Sequence, residues 1–100
     1  MKVNGKEYGL FYSVGARLDY EAWVVKHPDA PMSAAYLQQA IYMSQAYAAI
    51  HGGDALTMEE LVKLPNSAAN AIIEAAREQE RIDSGVTVEA ESKNAKKAGK

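Results

Sequence analysis

The sequence predicts a mainly α fold with a short N-terminal β-hairpin (α+β), in which three to four helices pack on the hairpin. Three observations predict it. Asn4-Gly5 lies between short flanks near the N-terminus, and Asn-Gly favours a type I′ turn because both central residues need positive φ. Helical signals then recur in four stretches, led by apolar residues three and four apart. Capping residues open those stretches, and proline or glycine closes them.

The hairpin is predicted over residues 1–4 and 6–12, with Tyr8, Leu10 and Tyr12 alternating and Leu10 or its neighbours facing the body. A lone two-stranded hairpin is barely stable, so it must pack on a helix. Ser13 is the expected N-cap of a first helix running to about Lys26. Val14, Leu18, Ala22 and Val25 mark one apolar face there, and Tyr20, Trp23 and Val24 broaden it. His27-Pro28-Asp29-Ala30-Pro31 ends the helix, because a residue before proline avoids the helical region. Ser33 is the expected cap of the second helix, which runs to Gly52-Gly53 with Gly52 as its left-handed C-terminal residue.

Thr57-Met58-Glu59-Glu60 is a capping box opening a short helix through Lys63, which Pro65 stops. Asn66 or Ser67 caps a last helix to about Asp83. Its narrow apolar stripe is Ala69, Ile72, Ile73 and Ala76, and Glu74 with Arg77 and Glu78 with Arg81 are spaced to pair on the solvent side. These elements make one small domain, residues 1–85. The sequence after Gly85, VTVEAESKNAKKAGK, has no helical apolar period and few large side chains, so residues 86–100 are expected to be a disordered tail.

With 100 residues the chain holds one domain at most. It has no cysteine, which excludes disulfides, thiolate metal sites and a cysteine nucleophile. The opening MKVNGKEY lacks the apolar stretch of a signal peptide. Residues 1–85 carry seven Lys/Arg against eleven Asp/Glu, or −4, whereas residues 86–100 carry four Lys against two Glu, or +2. An acidic body argues against nucleic acid as the main partner, since phosphate binding requires a basic face.

No residue set defends an enzyme. His27 lies beside Pro28 and His51 beside Gly52, neither in a metal-ligand spacing. Gly52-Gly53 lacks the spacing and following Lys-Ser/Thr of a phosphate loop, and Ser13, Ser33, Ser44 and Ser67 lack an elbow motif. Asp19, Glu21, Asp54, Glu59 and Glu60 do not alternate as calcium-loop ligands do, and read as solvated surface. Lys93, Lys96, Lys97 and Lys100 follow closely on Glu89 and Glu91 and lack an interleaved aromatic, so they read as a solvating tail. No catalytic residue, metal ligand or cofactor is assigned.

Ala34 to Ile50, AAYLQQAIYMSQAYAAI, holds no charged residue in a chain that is 24% charged. A membrane span needs about 20 predominantly apolar residues, and Gln38, Gln39, Ser44 and Gln45 within this stretch exclude one. Two adjacent strips line its surface: Leu37, Ile41, Ser44 and Ala48, then Tyr36, Ala40, Met43, Tyr47 and Ile50. Together they make an apolar arc wider than one neighbouring helix requires. The arc is either the core face of a central helix or, in its Tyr/Met strip, a surface left for a partner. Tyrosine and methionine suit the second role because they bury area while tolerating a wet edge. Tyr36, Met43, Tyr47 and Ile50 are the candidate partner-binding residues.

Lys2-Val3-Asn4-Gly5-Lys6-Glu7-Tyr8, followed by Val14-Gly15-Ala16-Arg17-Leu18, resembles the start of the tail assembly chaperones of long-tailed phages, the small type made as a frameshifted pair. Leu56-Thr57-Met58-Glu59-Glu60-Leu61 resembles their later short helix, and the order of elements matches over residues 1–83. The resemblance implies a non-catalytic role in tail morphogenesis in the host bacterial cytoplasm, with the protein absent from the mature virion. It implies the tape measure protein as partner, with the tail tube protein a further candidate. It also implies a longer form made by frameshifting, for which Lys96-Lys97 would supply a slippery adenine run. A tape measure is a long helical protein with apolar stripes, and a chaperone covers them by helix-in-groove contact. The alternative from the residues is a small DNA-binding regulator of helix-turn-helix type, using the Pro65-Asn66 turn. Against it, the last helix holds more acidic than basic residues, which makes a poor recognition helix. Self-association is permitted by the hairpin edge and the uncharged helix.

Overall fold

The computed structural model describes residues 1–85, and the disordered tail expected from residue 86 lies outside the described residues. The described chain is mainly helical behind a two-stranded antiparallel hairpin. Its elements are β1 (Lys2–Val3), β2 (Lys6–Glu7), α1 (Val14–Lys26), α2 (Met32–His51), α3 (Met58–Leu61) and α4 (Asn66–Asp83). The long helix α2 is the centre, and both α1 and α4 pack on it.

Asn4 and Gly5 take φ of 53° and 81°, as a type I′ turn requires. Lys2 pairs with Glu7 and Val3 with Lys6. The strands are shorter than the predicted 1–4 and 6–12, because the first strand offers nothing for residues 9–12 to pair with. The chain runs on from Tyr8 as a docked segment instead. The Phe11 amide donates to the Met43 carbonyl at 3.1 Å, and the Tyr12 amide donates to the Asp83 carboxylate at 2.8 Å. The segment thereby ties the hairpin to α2 and to the end of α4.

Ser13 caps α1 through a 3.0 Å bond from the Ala16 amide. The Thr57–Glu60 capping box is complete in both directions. Ser33 and Asn66 or Ser67 are not the caps of α2 and α4. Pro31 and Pro65 hold those positions with extended backbone, and no side-chain cap bond is made at either. Proline's fixed φ suits a helix start, where its missing N–H is not needed. Gly52 has the expected positive φ of 82°, but its ψ of 176° places it outside the left-handed helical well, in a region open essentially to glycine alone.

The core is built from Val3, Tyr8, Ala16, Ala40, Ile41, Met43, Leu56, Leu61, Ile72 and Ala76. The hairpin and the α3 capping box fasten to each other around it. Tyr8 is buried, and its hydroxyl donates to the Glu60 carboxylate at 3.2 Å. Burial, then that bond, push the phenol above its usual pKa. Lys6 pairs with Asp54 on the surface above, which raises the lysine and lowers the carboxyl.

Ser44 and Leu56 make the link between α2 and the loop before α3. The Leu56 amide donates to the buried Ser44 hydroxyl at 2.8 Å. Ser44→Ala leaves that buried donor without a partner, which costs about 1–3 kcal/mol. The expected result is a lower urea midpoint with an unchanged denaturant slope. Gln39 carries the opposite condition: it is 1% exposed and, among the described residues, neither of its amide atoms has a hydrogen-bond partner. Burial pushes the Tyr12 phenol above its usual pKa, and the Gln39 amide offsets part of that rise.

Candidate protein-binding surface

The arc of α2 that the sequence offered for a partner is largely covered by the domain itself. Met43 is 0% exposed and sits in the core, so it is not a contact residue in this fold. The physical reason is its position under the docked N-terminal segment, whose Phe11 amide bonds its carbonyl. Tyr47 is half-buried with its ring over Gly9, so closely that a β-carbon there would overlap it. Its other neighbour is the His51 ring, with centroids 4.3 Å apart. Tyr36 is half-buried beneath the Arg77 guanidinium, 4.3 Å from the ring centroid, a cation–π contact that fastens α4 to α2. Arg77 is thus held over an aromatic ring, while Glu78 pairs with Arg81 as the sequence suggested. Of the four candidates, Ile50 alone is well exposed, at 62%. The structure does not bring Tyr36, Met43, Tyr47 and Ile50 together as one open face.

Among the described residues, an uncovered apolar face lies on α1. Val14, Leu18 and Val25 are 76%, 60% and 77% exposed, and Ala22 between them is exposed as well. This is the face that the helical spacing marked as apolar, and it points to solvent. The helix has a second apolar side, formed by Ala16, Tyr20 and Trp23, and that side meets the domain. Ala16 is 3% exposed, and its small side chain lets the helix lie close on α2 while the two aromatic rings spread along the contact. A helix that is apolar on two faces can bury only one against a single neighbour.

The face is framed by charge. Arg17 Nε donates to Glu21 at 3.0 Å along one edge, and Asp19 and Lys26 lie along the other. Its four charges cancel, whereas α4 carries four acidic residues against two arginines. The histidines have local roles: His27 stacks on Trp23 at 4.2 Å, and its Nδ1 lies 2.8 Å from the Trp23 carbonyl oxygen. A second apolar feature is a cleft of about 250 Å³ between α2 and the α3–α4 turn, lined by Leu37, Leu61, Val62, Leu64 and Ile72. It has room for a single large side chain, not for a helix.

Among the described residues, no three His, Cys, Asp or Glu side chains converge as metal ligands, and no helix is long and apolar enough to cross a membrane. No known protein family, curated protein or solved structure matches the chain.

Proposed function

We propose that the chain is a non-catalytic phage tail assembly chaperone that holds the tape measure protein during tail morphogenesis. In this reading it works in the cytoplasm of the infected bacterium and is left out of the finished virion. The observation that carries the reading is the open Val14–Leu18–Ala22–Val25 face of α1. Such a face has the length and width of the apolar stripe on a partner helix. Burying an exposed valine or leucine fully contributes about 1.5–3 kcal/mol before association costs. Three such side chains are therefore enough to hold a helix reversibly, which suits a protein that must let its cargo go.

The resemblance of the NGKEY and LTMEEL strings to tail assembly chaperones supports the same reading. Tyr8 of the first string bonds Glu60 of the second, and Lys6 pairs with Asp54 just before the second string, so those strings act in shaping the domain. The contact surface then lies elsewhere, on α1.

The test is co-purification with the tape measure protein of the same genome after co-expression. The wild-type chain is expected to carry it into solution. Leu18→Gln with Val25→Gln is expected to lose it, with stability changed by no more than about 0.5 kcal/mol per site because both residues are on the surface. Retention of the tape measure by a folded double variant would refute the assignment to α1.

A further inference from the structure

Among the described residues, nothing in the fold requires a glycine at position 15. It lies inside α1, where glycine costs up to about 1 kcal/mol relative to alanine. Its φ is not positive, and a β-carbon there would meet only the Ser13 hydroxyl at 3.8 Å. Gly15 precedes Ala22 by seven residues, so the two small residues share one line of the helix, beside the Val14–Leu18–Val25 ridge. A low line beside an exposed apolar ridge suits the close approach of another helix.

The pattern of the face also names which helix. Val14, Leu18, Glu21 and Val25 are spaced 4, 3 and 4 apart, the seam positions of a coiled coil. An antiparallel pairing of two identical copies about a two-fold axis, midway between residues 18 and 21, makes four layers. Val14 meets Val25 of the second copy, Leu18 meets its Glu21, and the two remaining layers repeat these by symmetry. Gly15 then lies near Ala22 of the second copy, small against small. Arg17 falls opposite residue 22 of the second copy, one residue, or about 1.5 Å along the axis, from its Glu21. The one charged group in the seam thereby gains a cation from across the interface, twice by symmetry. The α1 helix is neutral on an acidic body, so two copies approaching along it meet no net repulsion.

We infer that the outer face of α1 is an isologous self-association surface, pairing antiparallel with α1 of a second copy through Arg17–Glu21 contacts. The pairing shares a face with the chaperone reading but does not rest on it. At 13 residues, α1 is about 20 Å long and covers less than a standard interface. The dimer is therefore a transient one, favoured at high concentration and open to competition by another apolar helix.

Sedimentation equilibrium of the purified full chain, with no other protein present, tests this. The wild-type mass is expected to rise toward that of a dimer with concentration. Arg17→Glu alone and Glu21→Arg alone are each expected to lower the association constant at least tenfold, by placing like charges across the seam. An equimolar mixture of the two variants is expected to recover it, because the reversed charges then face each other between chains. Circular dichroism checks that each variant stays helical, and Leu18→Gln provides a second, uncharged variant that should also lose the dimer. A wild-type chain that stays monomeric throughout overturns the inference, as does a dimer indifferent to Leu18→Gln or a mixture that fails to recover. The co-purification result is unaffected by any of these outcomes.

Discussion

Met43→Ser is expected to destabilise the domain by about 2–5 kcal/mol, the range for truncating a fully buried side chain, and serine adds a hydroxyl with no assured partner. A small domain is stable by only about 5–15 kcal/mol in all, so much of the population would unfold in mild urea. Met43 is 0% exposed and part of the central cluster, whereas Ile50 on the same strip is 62% exposed. Ile50→Ser is accordingly expected to shift stability by no more than about 0.5 kcal/mol. Urea titrations of the two variants separate core from surface along one helix. Loss of a partner in the Met43 variant alone would report on folding and not on contact.

Gly9→Val is the second large effect. Gly9 needs no unusual backbone angle, because its φ is not positive. Its constraint is space, since any β-carbon runs into the Tyr47 ring. The crowding atoms include the ring's own root carbon Cγ, so turning the ring about its axis does not clear it. Overpacking of this kind costs about 1–3 kcal/mol, occasionally more, and here it would lift the segment that carries Phe11 and Tyr12 onto the helices. Gly9→Ala should cost less than Gly9→Val. Combining Gly9→Ala with Tyr47→Ala should cost less than the sum of the two single changes, since each removes the reason for the other's penalty. Thermal denaturation of the four chains measures that coupling.

What could be read from the sequence was what neighbouring residues decide. The Asn4-Gly5 turn, the Ser13 cap and the Thr57–Glu60 box depend on three or four consecutive residues, and each is in place. Helix ends fell within a residue or two for the same reason. The caps of α2 and α4 differ because serine or asparagine competed with a proline one or two residues before it, whose backbone was already set.

What could not be read was which way a helix faces. Val14, Leu18, Ala22 and Val25 are as regular as a core face, yet Ala16, Tyr20 and Trp23 on the other side met the domain. Apolar period identifies faces, and only tertiary fit chooses between two of them. The arc of α2 was open to a core or a partner reading, and the sequence could not choose between them because its cover comes from distant residues. Gly9 lies over Tyr47, Arg77 over Tyr36, and Phe11 bonds the Met43 carbonyl. Gly15 in the first turn of α1 was a local hint, a glycine that no turn or crowding among the described residues explains.

Site-specific photo-crosslinking tests the central claim, that partners dock on the outer face of α1. A benzophenone-bearing residue replaces Leu18, Val25, Ile50 or Val62, each an exposed position, in chains co-expressed with the tape measure protein. Crosslinks to the tape measure from positions 18 and 25, and none from 62, are the result this account predicts. Crosslinks from position 50 or 62 with none from 18 or 25 would contradict it and move the contact surface off α1.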